Sequence, residues 1–283
     1  MLQNLRQIKN RIRSIDSTRK VTSAMEMISV TKLTRVNKIL SGFRSYFQKS
    51  ERIVNELISS EGRITHPLLE KKDVASICLC LITSDGGLCG LYNNNIIRFA
   101  EDFISQKGID KVKLVVAGRK GFNYFKHKQV EILNSYIGLN GRYSETAVDR
   151  ITALLVDTFL QNQAGEVYVA YTHLEKIIIH KPTLVKLLHI DTPAGRGRRY
   201  LLEPGINTLL DSLIPKYIYS KMRLIFLESF ASEHASRAVA MKTATDNAQE
   251  LSQSLVLLRN KVRQANITQD IMEIISSAEA LKG

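Results

Sequence analysis

MKTATDNAQELSQSLVLLRNKVRQANITQDIM (Met241–Met272) carries a seven-residue repeat. One set of positions is Met241, Ala248, Leu255, Val262 and Gln269; the other is Ala244, Leu251, Leu258, Ala265 and Met272. Only Gln269 among them is polar. An apolar pattern sustained over more than four heptads predicts a coiled-coil seam, in which the small alanines admit a close partner helix. Around this stretch residues 206 to 282 contain no glycine, and Pro215 alone interrupts them. Breakers are costly inside helices, so the plain expectation is one long C-terminal helix over residues 205–283.

The partner is at the other end of the chain. Residues 1–60 hold a single glycine, Gly42. Their apolar positions run Leu5, Ile8, Ile12 and Ile15, then Val21, Met25 and Ile28, then Leu33, Val36, Leu40, Phe43 and Phe47. The spacing is mostly three or four, with slips near Thr18 and Lys32, which predicts an amphipathic helix with an imperfect heptad. At 1.5 Å per residue the two helices would span roughly 85 and 100 Å, and the simplest arrangement packs them antiparallel.

Between them, residues 61–204 alternate in type. Ser76–Thr83 (SICLCLIT), Val112–Ala117, Val167–Tyr171 and Leu184–Ile190 are apolar runs of strand length. Helical stretches Leu91–Gln106 and Ser144–Gln161 separate them. Such alternation predicts a small α/β domain on a mixed or parallel sheet covered on both faces.

Composition narrows the function. The chain has 283 residues, 44% of them apolar and 24% charged, with no Trp. That suits a core-forming protein rich in helix rather than a disordered one. No run of 18 apolar residues offers a membrane span, and the first residues lack the apolar core of a signal peptide. Cys78, Cys80 and Cys89 are odd in number and clustered, so they are no disulfide framework. The net charge of +13 calls for an acidic partner. Residues 1–60 carry twelve Lys/Arg against four Asp/Glu, with Arg6, Lys9, Arg11, Arg13, Arg19 and Lys20 crowded together. That helix suits either a phosphate backbone, as in a basic coiled-coil nucleic-acid-binding protein, or a channel lined with acidic protein loops.

Catalytic motifs are missing. Thr83–Asn93 (TSDGGLCGLYN) follows a strand and precedes a helix, where a phosphate-binding loop sits. It lacks a lysine, and Asp85 would repel a phosphate, so a tight strand-to-helix turn is expected. The six histidines form no metal-ligand pair, and no GxSxG is present. Ala194–Arg199 (AGRGRR) reads as a solvated basic loop.

Three long motifs carry a resemblance. Ile8–Leu33 (IKNRIRSIDSTRKVTSAMEMISVTKL) resembles the N-terminal helix of the gamma subunits of F-type ATP synthases, matching at Thr18, Lys20, Val21, Thr22, Ala24, Met25, Met27 and Lys32. The middle motif SDGGLCGLYN and the C-terminal Leu227–Met241 and Asn260–Ile275 also resemble that family, in order and over the whole chain. Gly86 stands where the family usually has Arg or Lys, Asp270 where it has Glu, and Ser277 where it has Gly. The resemblance implies a long antiparallel coiled coil of the N- and C-terminal helices plus a small Rossmann-like α/β domain. It implies a non-catalytic rotor shaft without cofactor or metal, held in a ring of three alpha and three beta subunits. Epsilon and the c-ring would be its other partners, with no nucleic acid and no small-molecule substrate. The place would be the cytoplasmic side of a bacterial membrane, bound peripherally. By the same resemblance Lys20, Met25, Arg237, Gln264, Thr268, Asp270 and Glu273 meet the beta subunits.

Overall fold

The computed structural model describes residues 2–60, 66–176, 179–191 and 205–281. The long helices are α1 (Leu2–Ser60) and α5 (Ile206–Ala280), the latter continuing through Pro215. Between them run β1 (Ile77–Ile82), α2 (Tyr92–Lys107), β2 (Val112–Ala117), α3 (Arg119–Phe125), β3 (Glu131–Tyr136), α4 (Glu145–Leu160), β4 (Glu166–Lys176) and β5 (Ile179–Leu188). The basic Ala194–Arg199 loop lies outside the described residues.

The chain forms two compact units, one of Met1–Ile28 with Ala238–Gly283 and the other of Ser29–Arg237. The division falls inside the long helices, not at their ends near residues 60 and 205. The reason is burial. Val36, Leu40, Phe47, Val54 and Leu57 of α1 join Ile214, Ile218, Met222, Phe226 and Phe230 of α5 in the core of the larger unit.

That unit is built on a five-stranded sheet of order β3-β2-β1-β4-β5. The first four strands are parallel and β5 is antiparallel to β4. The order 3-2-1-4 is that of a Rossmann-type sheet. Strand β1 is buried throughout, and its period-two alternation serves two cores. Cys78, Cys80 and Ile82 face α4 and the long helices; Ile77, Leu79 and Leu81 face α2. Strand β3 and helix α3 escape the apolar-run reading. Strand β3 (EILNSY) is a partly exposed edge strand, so it needs no continuous apolar run.

In the smaller unit the two helices run antiparallel, since Thr245 donates to Thr22 (2.8 Å) and Ser252 to Asp16 (2.9 Å). These bonds correct the expected seam. Met241 and Leu255 are buried, and Ala244, Ala248 and Val262 are half-buried. Leu251 and Leu258, by contrast, are 51% and 45% exposed, and Ala265 and Met272 are exposed too. The second row of the interface is Thr245, Ser252, Arg259 and Asn266, one residue further along and about 100° round the helix. Opposite it, α1 turns inward Asp16, Arg19, Thr22 and Glu26, while Val21 and Ile28 are exposed. Polar side chains on one helix select polar side chains on the other, because a buried hydroxyl or carboxylate costs free energy unless hydrogen-bonded. Residues 267–281 are exposed throughout, past the stretch that faces α1.

Candidate functional site

Two features concentrate chemistry, one in each unit. In the larger unit the Thr83–Asn93 loop is stitched to α5. The turn begins where Thr83 pairs its N–H with Ala117 O (2.7 Å) and its Oγ1 accepts from the Gly121 N–H (3.0 Å). Gly118 makes this possible, because at its φ of +107° a Cβ would lie 2.2 Å from Thr83 O. Asn93, the second residue of the next helix, reaches back: its Oδ1 accepts from the Ser84 N–H (3.0 Å) and its Nδ2 donates to Ser84 Oγ (2.8 Å).

Asp85 sits at the centre. Its carboxylate accepts three backbone N–H groups: Arg119 at 3.0 Å, Gly138 at 3.1 Å and Asn140 at 2.7 Å. The lone pairs that would repel a phosphate are spent on fixing two neighbouring loops, so the loop is an anchor and not a phosphate cradle.

Helix α5 supplies the other half. Arg237 pairs with Glu233 (2.8 Å) and donates from Nε to Gly87 O (3.2 Å). Tyr92 Oη lies 2.8 Å from Ser229 Oγ, and His234 Nε2 lies 2.8 Å from Gly141 O. A carbonyl accepts only, so Nε2 carries the His234 proton. Burial raises the Glu233 carboxyl above its ordinary value, with Asp85 adding to the rise and Arg237 opposing it. Burial lowers His234 to about 4, helped by the charges of Arg237 and Lys32 and opposed by the Gly141 hydrogen bond.

The sign of the His234 shift makes a prediction. Its ordinary pKa is 6.5, so between pH 6.5 and about 4 the unfolded chain binds more protons than the folded one. Stability is complete above pH 6.5 and falls with acidification until about pH 4, by up to about 3 kcal/mol at 1.36 kcal/mol per unit. Glu233 acts with the opposite sign, so the test is a difference. Urea melts from pH 7 to 4 are expected to converge for the wild type and His234→Gln, whose amide still donates to Gly141 O. Parallel curves would refute the assignment.

Arg237 needs a correction. Its side chain is only 13% exposed and is committed to Glu233 and Gly87, so it positions the loop and is not a free contact residue. Glu233 and His234 escaped motif reasoning, which read Asp85 only as an obstacle to phosphate. Their signal was the i, i+4 Glu–Arg pair inside an otherwise buried helix.

The second feature is the surface of the smaller unit. Lys20 is exposed and Met25 half-buried; Gln264, Thr268, Asp270 and Glu273 are all exposed. Gln269 ties to Glu273 through a 2.9 Å bond, and Thr268 turns back onto Gln264 O. Around them stand exposed apolar side chains: Val21 and Ile28 on α1, and Leu251, Leu257, Leu258, Ile267, Ile271, Ile274 and Ile275 on α5. Among the described residues no group of His, Cys, Asp and Glu is placed to hold a metal ion.

Known proteins match this chain along its length. The family model described as "ATP synthase" matches residues 4–281. The ATP synthase gamma chain of Anaeromyxobacter sp. (strain Fw109-5) is 36% identical over 290 residues, covering 99% of this chain and 100% of that one. That of Heliobacterium modesticaldum is 35% identical over 291 residues, with the same coverage. In fold, the chain is similar to one in the Euglena gracilis mitochondrial ATP synthase (OSCP/F1/c-ring, rotational state 3), with a TM-score of 0.71 at 16% identity over 99% of this chain and 95% of that one.

Proposed function

The chain belongs to the ATP synthase gamma-chain family, and from that membership we propose that it is the central rotor shaft of an F-type ATP synthase. Ion flow through the c-ring turns it inside a ring of three alpha and three beta subunits. The two faces of an antiparallel helix pair differ, so at any angle the three beta subunits meet three different surfaces. A shaft that favours a different conformation of each beta subunit supplies the differential affinity that coupling requires. Catalysis stays on the ring, and this chain contributes no catalytic group, cofactor or small-molecule site. Its further partners are epsilon and the c-ring, which hold it peripherally on the cytoplasmic face of a bacterial membrane. Among the described residues no helix is long and apolar enough to cross one.

One observation supports this reading above the others: one row of the smaller unit's interface is polar, while large apolar side chains such as Val21, Ile28, Leu251, Leu257 and Leu258 face outward. Such a surface suits an enclosing protein sleeve and not water. Lys20, Met25, Gln264, Thr268, Asp270 and Glu273 then meet the beta loops, and the basic residues of α1 face acidic loops. A nucleic-acid partner for that helix has no such use for the outward apolar residues.

Reconstitution tests the proposal. The purified chain alone is expected to hydrolyse no ATP, and adding it to alpha and beta subunits is expected to raise their ATPase turnover. Hydrolysis by the chain alone would refute the non-catalytic role. No stimulation of the ring would refute the shaft.

A further inference from the structure

The larger unit carries an apolar groove apart from the Asp85 anchor. It lies between the α1 and α5 segments, with Val54 and Tyr217 at its floor and Tyr46, Ile53 and Leu213 along its walls. The floor is fixed. Tyr217 stacks on Phe47 with 5.6 Å between ring centroids, and its hydroxyl donates to Glu51 (3.2 Å). The walls are apolar yet open to solvent: Tyr46 and Ile53 are 56% and 52% exposed, and Ile39, beyond the groove on the same helix, is 43% exposed.

Their spacing is informative. Ile39, Tyr46 and Ile53 recur every seven residues, so they form one row along α1. The row covers about 21 Å at 1.5 Å per residue, roughly four helical turns. A seven-residue apolar row beside a groove is half of a helix–helix seam whose other half is missing.

The rim has one sign. Arg35, Lys38 and Lys49 on α1 and Lys216 on α5 are exposed, and among the described residues none is paired with an acid. The acids of the same α1 stretch are engaged, Glu51 by Tyr217 and Glu56 by Arg52 (2.9 Å). A charged flank beside an apolar seam selects the partner by its complement.

We infer that this groove binds an acidic amphipathic helix of a partner protein. Leucine-type side chains spaced by seven would lie on the Ile39–Tyr46–Ile53 row, and carboxylates would reach Lys38, Lys49 and Lys216. A lipid surface fits less well, because the apolar groups line a concave groove instead of a projecting face. A second copy of this chain is opposed by its own +13 charge. The inference stands on the larger unit alone and does not depend on the shaft reading.

The test uses the full chain and a fluorescein-labelled helical peptide with leucine at its a and d positions and glutamate at e and g. Fluorescence anisotropy at about 0.1 M salt leaves exposed charges attractive over about 10 Å. The wild type is expected to bind the peptide, with affinity falling at least about tenfold, or 1.4 kcal/mol, in Tyr46→Ser/Ile53→Ser and again in Lys49→Glu/Lys216→Glu. The equally charged control Lys107→Glu/Lys111→Glu, outside the groove, is expected to bind as the wild type does. An equal loss in that control would mean non-specific attraction and overturn the site, as would unchanged binding in both groove variants. Two further results would overturn it by assigning another occupant. One is loss of binding to phosphatidylcholine/phosphatidylglycerol vesicles in the groove variants without loss of peptide. The other is a dimer in sedimentation velocity that those variants dissolve.

Discussion

Asp85→Ala is expected to destabilise the larger unit by about 3–5 kcal/mol. The carboxylate accepts three backbone N–H groups, from Arg119, Gly138 and Asn140, and it is itself buried. Each donor left without a partner costs about 1–3 kcal/mol, and alanine supplies no acceptor for any of them. Asp85→Asn keeps one carbonyl oxygen while replacing the other with an amide that only donates. It should lose the Asn140 bond to Oδ2 or the pair to Oδ1, and fall between alanine and wild type. Urea unfolding monitored by circular dichroism measures both. A loss under about 1 kcal/mol for Asp85→Ala would mean that water replaces the carboxylate and that the anchor is not structural.

How much of this was legible in the sequence depends on which physical signal each element leaves. Strands β1 and β2 were readable because both faces of a central strand are buried, which leaves an uninterrupted apolar run. Edge strand β3 buries little and leaves none. The two long helices were readable from the absence of breakers, since glycine and proline are excluded by backbone energetics whatever the side chains do. The face each helix turns inward was not. Along Met241–Met272 the rows +3 and +4 from Met241 are Ala244/Leu251/Leu258/Ala265 and Thr245/Ser252/Arg259/Asn266. Apolar periodicity favours the first row, and the structure uses the second. An apolar stripe reports only that a surface is to be covered; it does not say whether the neighbouring helix or another protein covers it. The anchor at Asp85 was half-legible. The motif showed an acid where a phosphate loop forbids one, but its three amide donors come from Arg119, Gly138 and Asn140, far along the chain.

The half-polar seam yields the prediction that separates a free helix pair from a sheathed shaft. Leu255 is 9% exposed and faces α1, so Leu255→Ala should weaken the free helix pair. Buried leucines in full cores cost about 2–5 kcal/mol on this change, and a two-helix interface sits at the lower end because the site collapses easily. Leu251 and Leu258 are half in solvent, so Leu251→Ser/Leu258→Ser should leave the free chain's protease resistance within about 0.5 kcal/mol of wild type. In the assembled complex the order reverses. Each outward leucine that a sleeve covers contributes roughly 1.5–3 kcal/mol of transfer free energy, so the double change should weaken assembly with alpha and beta subunits by about a hundredfold or more. Limited proteolysis of the free chain and titration of the ring by ATPase stimulation read the two effects separately. If the serine variant loosens the free chain as much as Leu255→Ala does, the leucines face α1 and the polar row is wrong. If it assembles as tightly as wild type, no partner covers them and the outward stripe has no part in torque transmission. The proposed function requires the remaining outcome, in which one substitution is felt only without the ring and the other only within it.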